Sequence, residues 1–244
     1  MNATEALLVE VMDVIAERFD KHAVLRGGMV LRVLGCERLT NDVDYVFVPF
    51  ASKKDIADEV LSALHRIEGA NISHSFNSKC LRIALSRNEV AVQVEIKTAS
   101  DIKTSLVSNR YLAQSYGRPP RIIRVLDYPV ALAEKMAAWN ERRLIRDLYD
   151  IWFYLRMGIR PDVPTLEKRL AKPDYSRRVK KSAYFRGKTP EDFYSFLREA
   201  AQAVTDRSIE VELSDYLPAE EIVGLAMRFR AELVKLSRVE GAMN

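Results

Sequence analysis

Hydrophobic residues at the start of the chain recur at the spacing of a helix. Leu8, Val11, Ile15 and Phe19 are three or four residues apart, so they line one face of a helix whose N-cap is predicted at Thr4. A helix with one apolar face needs another surface to cover that face. The pattern therefore predicts a core-facing helix at the beginning of a globular domain.

Alternating and short apolar segments then predict a β-sheet. The clearest alternation lies in residues 90–97, where every second residue is apolar. With residues 80–86 this strand predicts a hairpin that turns at residues 87–89. Four more strands are predicted at residues 23–25, 42–48, 70–77 and 121–126. Helices are predicted between the strands at residues 29–34, 56–67 and 105–114.

From Pro129 onward every predicted element is a helix. Residues 130–139 are rich in alanine, and Pro129 suits the first turn of that helix. Later helices are predicted at residues 144–152, 190–205 and 218–238. The change in character predicts an α+β chain, with an α/β core at residues 1–127 and a helical region at residues 128–244.

Composition narrows the class of protein without naming its function. The chain has 244 residues, 48% hydrophobic and 30% charged, which is typical of a globular protein. No apolar run reaches the roughly 18 residues needed to cross a bilayer, and no secretory signal is visible, so we expect no membrane partner. Cys36 and Cys80 are too few for a disulfide framework, which favours a reducing cytoplasm. The net charge of +4 permits an anionic partner.

Candidate chemistry first appears between residues 27 and 44. Gly27 and Gly28 predict a turn whose backbone N–H groups can approach a phosphate closely. Asp42 and Asp44 are two residues apart, so on a strand they share a face. Two adjacent carboxylates repel unless a cation such as Mg²⁺ lies between them. Taken singly, these motifs are more often an ordinary turn and a solvated strand end; in this order they favour phosphoryl or nucleotidyl transfer.

Three neighbouring polar residues are candidates for the same site. Arg38 and Thr40 lie just before the aspartates and could contact a phosphate or hold a carboxylate; Arg38 could equally be exposed and without a role. Glu95 becomes a third carboxylate if its strand lies beside residues 42–48. The alternative is that its strand lies at the edge of the sheet with one wet face.

The helical region adds charged candidates. Lys135 lies on an apolar helix, where its ammonium must either meet an anion or extend to the surface. Asp147 and Asp150 are three residues apart and follow Arg146. One aspartate could bind a ligand group while the other holds an arginine, or both could form structural salt bridges.

Residues 168–188 are strongly basic and contain Tyr175, Tyr184 and Phe185. Cations with interleaved aromatic rings suit nucleic acid, because charges bind phosphates and rings stack on bases. A solvated charged face is the alternative. The candidate RNA-binding residues in this segment are Arg177, Arg178, Lys180 and Lys181.

The motifs together resemble those of the nucleotidyltransferase AbiEii/AbiGii type toxins, which belong to the DNA polymerase β-like nucleotidyltransferase superfamily. The matching segments span residues 25 to 150: Leu25–Gly28, Arg38–Asp44, Glu134–Lys135 and Arg146–Asp150. One departure is the Gly27-Gly28 pair, where many superfamily members have Gly-Ser and hence one more hydroxyl ligand for a phosphate.

The resemblance implies a mixed sheet followed by helices, and a role for each candidate residue. Gly27 and Gly28, with Arg38 and Thr40, would contact the nucleotide; Asp42, Asp44 and Glu95 would bind Mg²⁺ or Mn²⁺. Lys135 would neutralise phosphate charge. The pocket would be completed by Arg146, Asp147 and Asp150.

The implied reaction is transfer of a nucleoside monophosphate from an NTP to RNA, with the tRNA 3′ end as the expected acceptor. Such a toxin would be neutralised by a separate antitoxin protein. One alternative acceptor is a protein hydroxyl. A non-catalytic nucleotide- or antitoxin-binding module is another alternative, although it would not need Asp42, Asp44 and Lys135 together. A two-metal nuclease would not need the glycine pair.

Overall fold

The chain folds into two compact units. The computed structural model describes residues 2–173, 179–180, 183–185, 187 and 189–237. Internal contacts divide the chain into unit 1, Met1–Asp127, and unit 2, Tyr128–Asn244. All strands among the described residues fall in unit 1, and unit 2 is helical in its described part. The predicted α+β class is confirmed.

Unit 1 is built on one mixed sheet. Its strands are β1 (Ala23–Arg26), β2 (Asp42–Phe47), β3 (Asn71–Phe76), β4 (Leu81–Arg87), β5 (Val90–Thr98), β6 (Thr104–Ser108) and β7 (Ile122–Leu126). The seven strands lie in the order β3-β4-β5-β2-β1-β7-β6. β2 is parallel to β5 and antiparallel to β1, and β1 is parallel to β7. The other neighbouring strands are antiparallel.

Helices cover one face of this sheet, and the hydrophobic core of unit 1 lies between the helices and the sheet. They are α1 (Ala3–Phe19), α2 (Gly28–Val33), α3 (Lys54–Leu64) and α4 (Arg110–Ser115), with a 3₁₀ turn at Asp20–His22. Ile83 and Val94 point into the core and are fully buried. α1 contacts β5, β1, β2 and α3. Each buried aliphatic side chain contributes about 1.5–3 kcal/mol, so this face accounts for much of the stability of unit 1.

Two local predictions for unit 1 were wrong. The first helix is capped by Asn2, whose side chain accepts a hydrogen bond from the Glu5 amide, and not by Thr4. Residues 105–114 were predicted as one helix, but they form most of β6 and most of α4. Their first part pairs antiparallel with β7, and this tertiary pairing overrides the local preference.

Unit 2 contains more helices than the sequence predicted. They are α5 (Tyr128–Arg142), α6 (Ile145–Arg156), α7 (Val163–Ala171), α8 (Pro190–Gln202), α9 (Asp206–Leu213), α10 (Ala219–Ile222) and α11 (Leu225–Val234), followed by a 3₁₀ turn at Lys235–Ser237. The prediction missed α7 and α9 and joined α10 to α11. Capping boxes at Thr189 and Thr205 begin α8 and α9 as separate helices. None of the helices in the described ranges combines the length and apolar character needed to cross a bilayer.

Candidate active site

Gly27 brings the backbone of unit 1 against a carboxylate. It ends β1 and begins α2 with φ +76° and ψ −150°, a conformation that is essentially restricted to glycine. A Cβ at this position would lie 2.3 Å from Oδ2 of Asp44. The carboxylate of Asp44 therefore occupies the space that the missing side chain leaves open.

Gly28 makes a second close approach, to Thr40. A Cβ on Gly28 would lie 3.0 Å from Oγ1 of Thr40 and 3.1 Å from its Cβ. The Thr40 side chain is buried, and its hydroxyl donates a hydrogen bond of 2.5 Å to Oδ1 of Asp42. Each glycine thus packs against a group that belongs to, or positions, one of the two aspartates.

Strand register brings further polar residues beside the aspartates. On β5, Gln93 is the Cα partner of Asp42 and Glu95 is the partner of Asp44. On β1, Arg26 is the partner of Asp44. Partners on neighbouring strands share a face, so these residues lie on the side of the sheet opposite the helix-covered core. The strand of Glu95 therefore lies beside the strand of Asp42 and Asp44, which is the arrangement that makes Glu95 a neighbour of the aspartates.

Glu95 is held by two residues that the sequence analysis did not single out. Its Oε1 accepts hydrogen bonds from Nη2 of Arg82 at 2.8 Å, Nε of Arg82 at 3.2 Å and Nε2 of Gln93 at 2.8 Å. The hydrogen bond and the charge of Glu95 raise the pKa of Arg82 above its ordinary value. No described residue donates a hydrogen bond to Oε2 of Glu95. One carboxylate oxygen is therefore fully engaged and the other is not.

The carboxylates do not by themselves form a closed metal site. Within the described part of the chain, no three His, Cys, Asp or Glu side chains gather closely enough to hold a metal ion. Asp42 and Asp44 are both partly exposed. A partly exposed carboxylate pair suits a hard cation that keeps water and substrate oxygens among its ligands, as Mg²⁺ does.

Arg38 is not the exposed side chain that one interpretation of the sequence allowed. Only 6% of the residue is accessible, and Nη1 donates to the carbonyl oxygen of Leu39 at 3.1 Å. Its position just before Thr40 keeps it a candidate for orienting the loop that leads into β2.

The charged candidates in unit 2 form pairs within that unit. Nζ of Lys135 lies 2.6 Å from Oδ2 of Asp150, whose side chain is 1% exposed. Arg142 binds Asp147 through two hydrogen bonds, of 2.6 and 3.1 Å. Lys135 therefore meets an anion, and both aspartates pair with cations of their own unit. Arg146 is exposed, and its amide donates to Glu212.

The structure describes only part of the basic segment. Arg177, Arg178, Lys181 and Tyr175 lie outside the described residues, whereas Lys180 is described and exposed. Tyr184 is 4% exposed, and its hydroxyl donates to the Glu141 carbonyl. The Phe185 ring packs 5.3 Å from the Phe193 ring and 5.6 Å from the Phe196 ring. The Tyr184 ring is buried within unit 2, which does not favour stacking on a base, whereas Phe185 packs on two neighbouring rings and is partly exposed.

Comparison with known proteins finds a family model and solved structures that this chain resembles. A family model described as "Nucleotidyl transferase AbiEii toxin, Type IV TA system" matches residues 11–231. The nucleotidyltransferase toxin MenT4 from Mycobacterium tuberculosis H37Rv superposes with a TM-score of 0.59 and 16% identity, over 98% of this chain and 84% of that one. JHP933 from Helicobacter pylori superposes with a TM-score of 0.55 and 14% identity, over 97% and 93% of the respective chains. At these identities the two structures show a shared fold. No curated protein matches the sequence of this chain.

Proposed function

The chain belongs to the AbiEii nucleotidyl transferase toxin family of type IV toxin–antitoxin systems, and we propose that it transfers a nucleoside monophosphate from an NTP to the 3′ end of tRNA. Family membership makes the protein a nucleotidyltransferase toxin; the acceptor and the metal are our proposals.

The close packing at the glycine turn is the main observation in support of this proposal. Gly27 and Gly28 approach the Asp44 carboxylate and Thr40 so closely that neither glycine can gain a Cβ without displacing a neighbour. We assign the triphosphate to the backbone N–H groups of this turn, because the glycines have no side chains of their own to shield those groups. The carboxylates of Asp42 and Asp44 then lie beside the phosphates.

The two aspartates fit a divalent cation that arrives with the nucleotide. They share one face of β2 and are partly exposed, and oxygen ligands from substrate and water complete the preferred coordination of Mg²⁺ or Mn²⁺. The cation, when bound, would neutralise charge that develops on the phosphate oxygens. Asp42 is oriented for this role by the Thr40 hydroxyl, and Asp44 by its contact with Gly27.

The remaining chemistry is in-line displacement at the α-phosphorus. The terminal hydroxyl oxygen of the acceptor forms a bond to the α-phosphorus while the bond to the β-phosphate bridging oxygen breaks, and pyrophosphate leaves. We assign the hydroxyl proton to Oε2 of Glu95, because Oε1 is engaged by Arg82 and Gln93. Lys135 is predicted to balance phosphate charge. Its ammonium forms an ion pair with Asp150, which fixes the direction of the side chain.

A toxic outcome follows from the acceptor. A tRNA with extra nucleotides at its 3′ end cannot accept an amino acid, so translation would stop. With NTP and tRNA as substrates, we expect the reaction to take place in the cytoplasm. Membership of a type IV system implies an antitoxin partner, which we propose is a separate protein encoded beside the toxin.

Label transfer tests the proposal directly. The protein would be incubated with Mg²⁺, total tRNA and each α-³²P-labelled NTP in turn, beside an Asp44→Ala variant and an Asp58→Ala variant as a matched control on the exposed side of α3. We expect label on RNA with the wild type and with Asp58→Ala, and none with Asp44→Ala. Label on protein alone would replace the RNA acceptor by a protein hydroxyl. NTP binding without label on either would indicate a binding module.

A further inference from the structure

The sheet of unit 1 has one open polar face beside the aspartates. On β4 and β5 the core-facing side chains are fully buried or nearly so, whereas the side chains that alternate with them are exposed or partly exposed. This open face carries Ser75, Arg82, Ala84, Gln93, Glu95 and Lys97. Because Gln93 and Glu95 are the register partners of Asp42 and Asp44, the face begins at the aspartates and extends away from them across β5, β4 and β3.

The strand order indicates whether the NTP or the acceptor lies on this face. β1 and its Gly27–Gly28 turn lie on one side of β2, and β5 and β4 lie on the other. With the triphosphate on the glycine turn, pyrophosphate leaves on the β1 side. An in-line reaction requires the attacking oxygen to approach from the opposite side, which is the side of β5.

Arg82 is the exposed cation on that side. Its side chain is 49% exposed, and its Nε and Nη2 both donate to Glu95. No described residue accepts a hydrogen bond from its Nη1, so donors remain for an external anion. Lys97 lies two residues after Glu95 on the same face and forms no ion pair with any described residue.

Distance separates Arg82 from the reacting phosphate. Two strand spacings of about 4.8 Å place the backbone of β4 about 10 Å from that of β2. The Arg82 side chain reaches back as far as Oε1 of Glu95, so its guanidinium would lie on the acceptor side of the α-phosphorus, beside the backbone phosphate that precedes the terminal acceptor nucleotide. Its neighbours Ser75 and Ala84 on this face are exposed and have small side chains.

We propose that Arg82, oriented by Glu95 and supported by Lys97, binds a backbone phosphate of the RNA acceptor on the open face of β4 and β5. This inference rests on the RNA acceptor of the proposed function. Glu95 then has two roles, because its Oε1 orients Arg82 while its Oε2 remains for the proton of the attacking hydroxyl.

Equilibrium binding of fluorescein-labelled tRNA without NTP, measured by anisotropy over a series of salt concentrations, tests the role of Arg82. An arginine bound to one phosphate contributes about 0.7–0.9 to the slope of log K against log salt. We expect Arg82→Ala to make this slope shallower by about 0.7–0.9 and to weaken tRNA binding about 3- to 10-fold at low salt. Arg82→Lys should keep most of the slope, because it keeps the charge.

Arg18→Ala is the matched control. Arg18 is 55% exposed, pairs with Glu59 at 3.3 Å and lies on α1, which packs on the opposite face of the sheet. Its slope should equal that of the wild type. Binding of the NTP identified by label transfer should be the same in the Arg82→Ala variant and the wild type, and a thermal melt of each variant checks its folding.

Three outcomes would overturn the inference. They are an unchanged slope in Arg82→Ala, an equal loss in Arg18→Ala, and a loss of NTP affinity as large as the loss of tRNA affinity. If wild-type protein labels RNA while Arg82→Ala keeps its slope, the Arg82 inference alone fails. If the wild type labels only protein, the proposed acceptor fails first and the Arg82 inference with it.

Discussion

Asp42 of unit 1 and the candidate aspartates of unit 2 differ in what stabilises their charge. Asp147 and Asp150 are 1% exposed, and each pairs with a cation of its own unit. Asp42 is partly exposed and accepts a hydrogen bond from the neutral hydroxyl of Thr40. A buried carboxylate is costly without a cation, whereas a partly exposed one is stabilised by water.

The difference separates carboxylates that a cation of their own unit neutralises from a carboxylate that is partly exposed to solvent. In unit 2, Lys135 and Arg142 neutralise the aspartates and tie α5 to α6. In unit 1, Asp42 and Asp44 lie beside the Gly27–Gly28 turn, to which we assign the triphosphate and its metal. Residue type and spacing are similar in the two regions, and burial and partners distinguish them.

The largest expected effect separates Asp42 from Asp147 by metal binding. Asp42→Asn removes a charge from the carboxylate pair, so we expect Mn²⁺ binding to be lost and transfer to fall by at least about 100-fold. Asp147→Asn removes a charge that Arg142 already balances, so Mn²⁺ affinity should stay while the melting temperature falls. Electron paramagnetic resonance of free Mn²⁺ measures the affinity. Equal Mn²⁺ affinity in both variants would remove the distinction between the regions.

The next effect concerns the buried pair of unit 2. Lys135→Met takes the cation from Asp150, so the free energy of unfolding should fall by about 3–5 kcal/mol. The exposed pair of Arg207 and Glu210 provides the control: Arg207→Met should cost less than about 1 kcal/mol. Transfer activity of the Lys135 variant, measured where it is still folded, tests its predicted role on phosphate.

Fluorescence makes this measurement specific to unit 2. The two tryptophans of the chain, Trp139 and Trp152, both lie in unit 2 and are buried. A urea titration followed by tryptophan emission therefore reports the unfolding of that unit. Similar losses in the Lys135 and Arg207 variants would mean that the Asp150 pair adds no more than a surface pair.

A smaller effect tests whether the glycine turn serves the aspartates. Gly27→Ala forces a side chain into a backbone conformation that costs about 1–3 kcal/mol, and its Cβ displaces Asp44. Gly35 has φ +86° and nothing within 4 Å of its Cβ position, so Gly35→Ala carries backbone strain without a contact. Both variants should lose stability, and only Gly27→Ala should also lose Mn²⁺ binding. Retained Mn²⁺ binding in Gly27→Ala would show that Asp44 can move without consequence.

The smallest effect is the pH dependence of a paired acid in unit 1. Burial alone would raise the pKa of Glu10, but hydrogen bonds from Arg87 and Arg118, each 2.7 Å away, lower the pKa below its ordinary value of 4.5. A lowered folded-state pKa gives stability that is complete above pH 4.5 and is lost as the pH falls below it. Urea unfolding should show Glu10→Gln destabilised at pH 7, with the difference from wild type shrinking at pH 3.5. A constant difference would contradict the shift.

The elements that the sequence predicted best are those with a strong local pattern. The stripe of α1 and the alternation of β5 were found because burial of one face imposes a period on the residues themselves. β6 was missed because its identity depends on pairing with β7. Tyr184 was assigned to nucleic acid because its basic neighbours are visible in the sequence, while its contact with Glu141, 43 residues earlier, is not.

One residue in a turn explains why Arg82 escaped notice. A turn at residues 87–89 pairs residue 86 with residue 90, which would set Arg82 opposite Val94. In the structure Asn88 and Glu89 alone form the turn, both with positive φ, and Arg82 pairs with Glu95. Because side chains alternate between faces, a shift of one residue changes every partner across the hairpin. The aspartates and glycines needed no such register and were predicted from their order alone.

The contact between Gly27 and Asp44 also has a genetic consequence. Every missense change in a glycine codon introduces a residue with a Cβ, and at Gly27 that atom has no room beside the Asp44 carboxylate. Cells that express the toxin without its antitoxin select for inactive alleles, and most single-nucleotide changes in this codon would supply one. Among survivors of such a selection, substitutions of Gly27 should therefore recur alongside substitutions of the aspartates themselves.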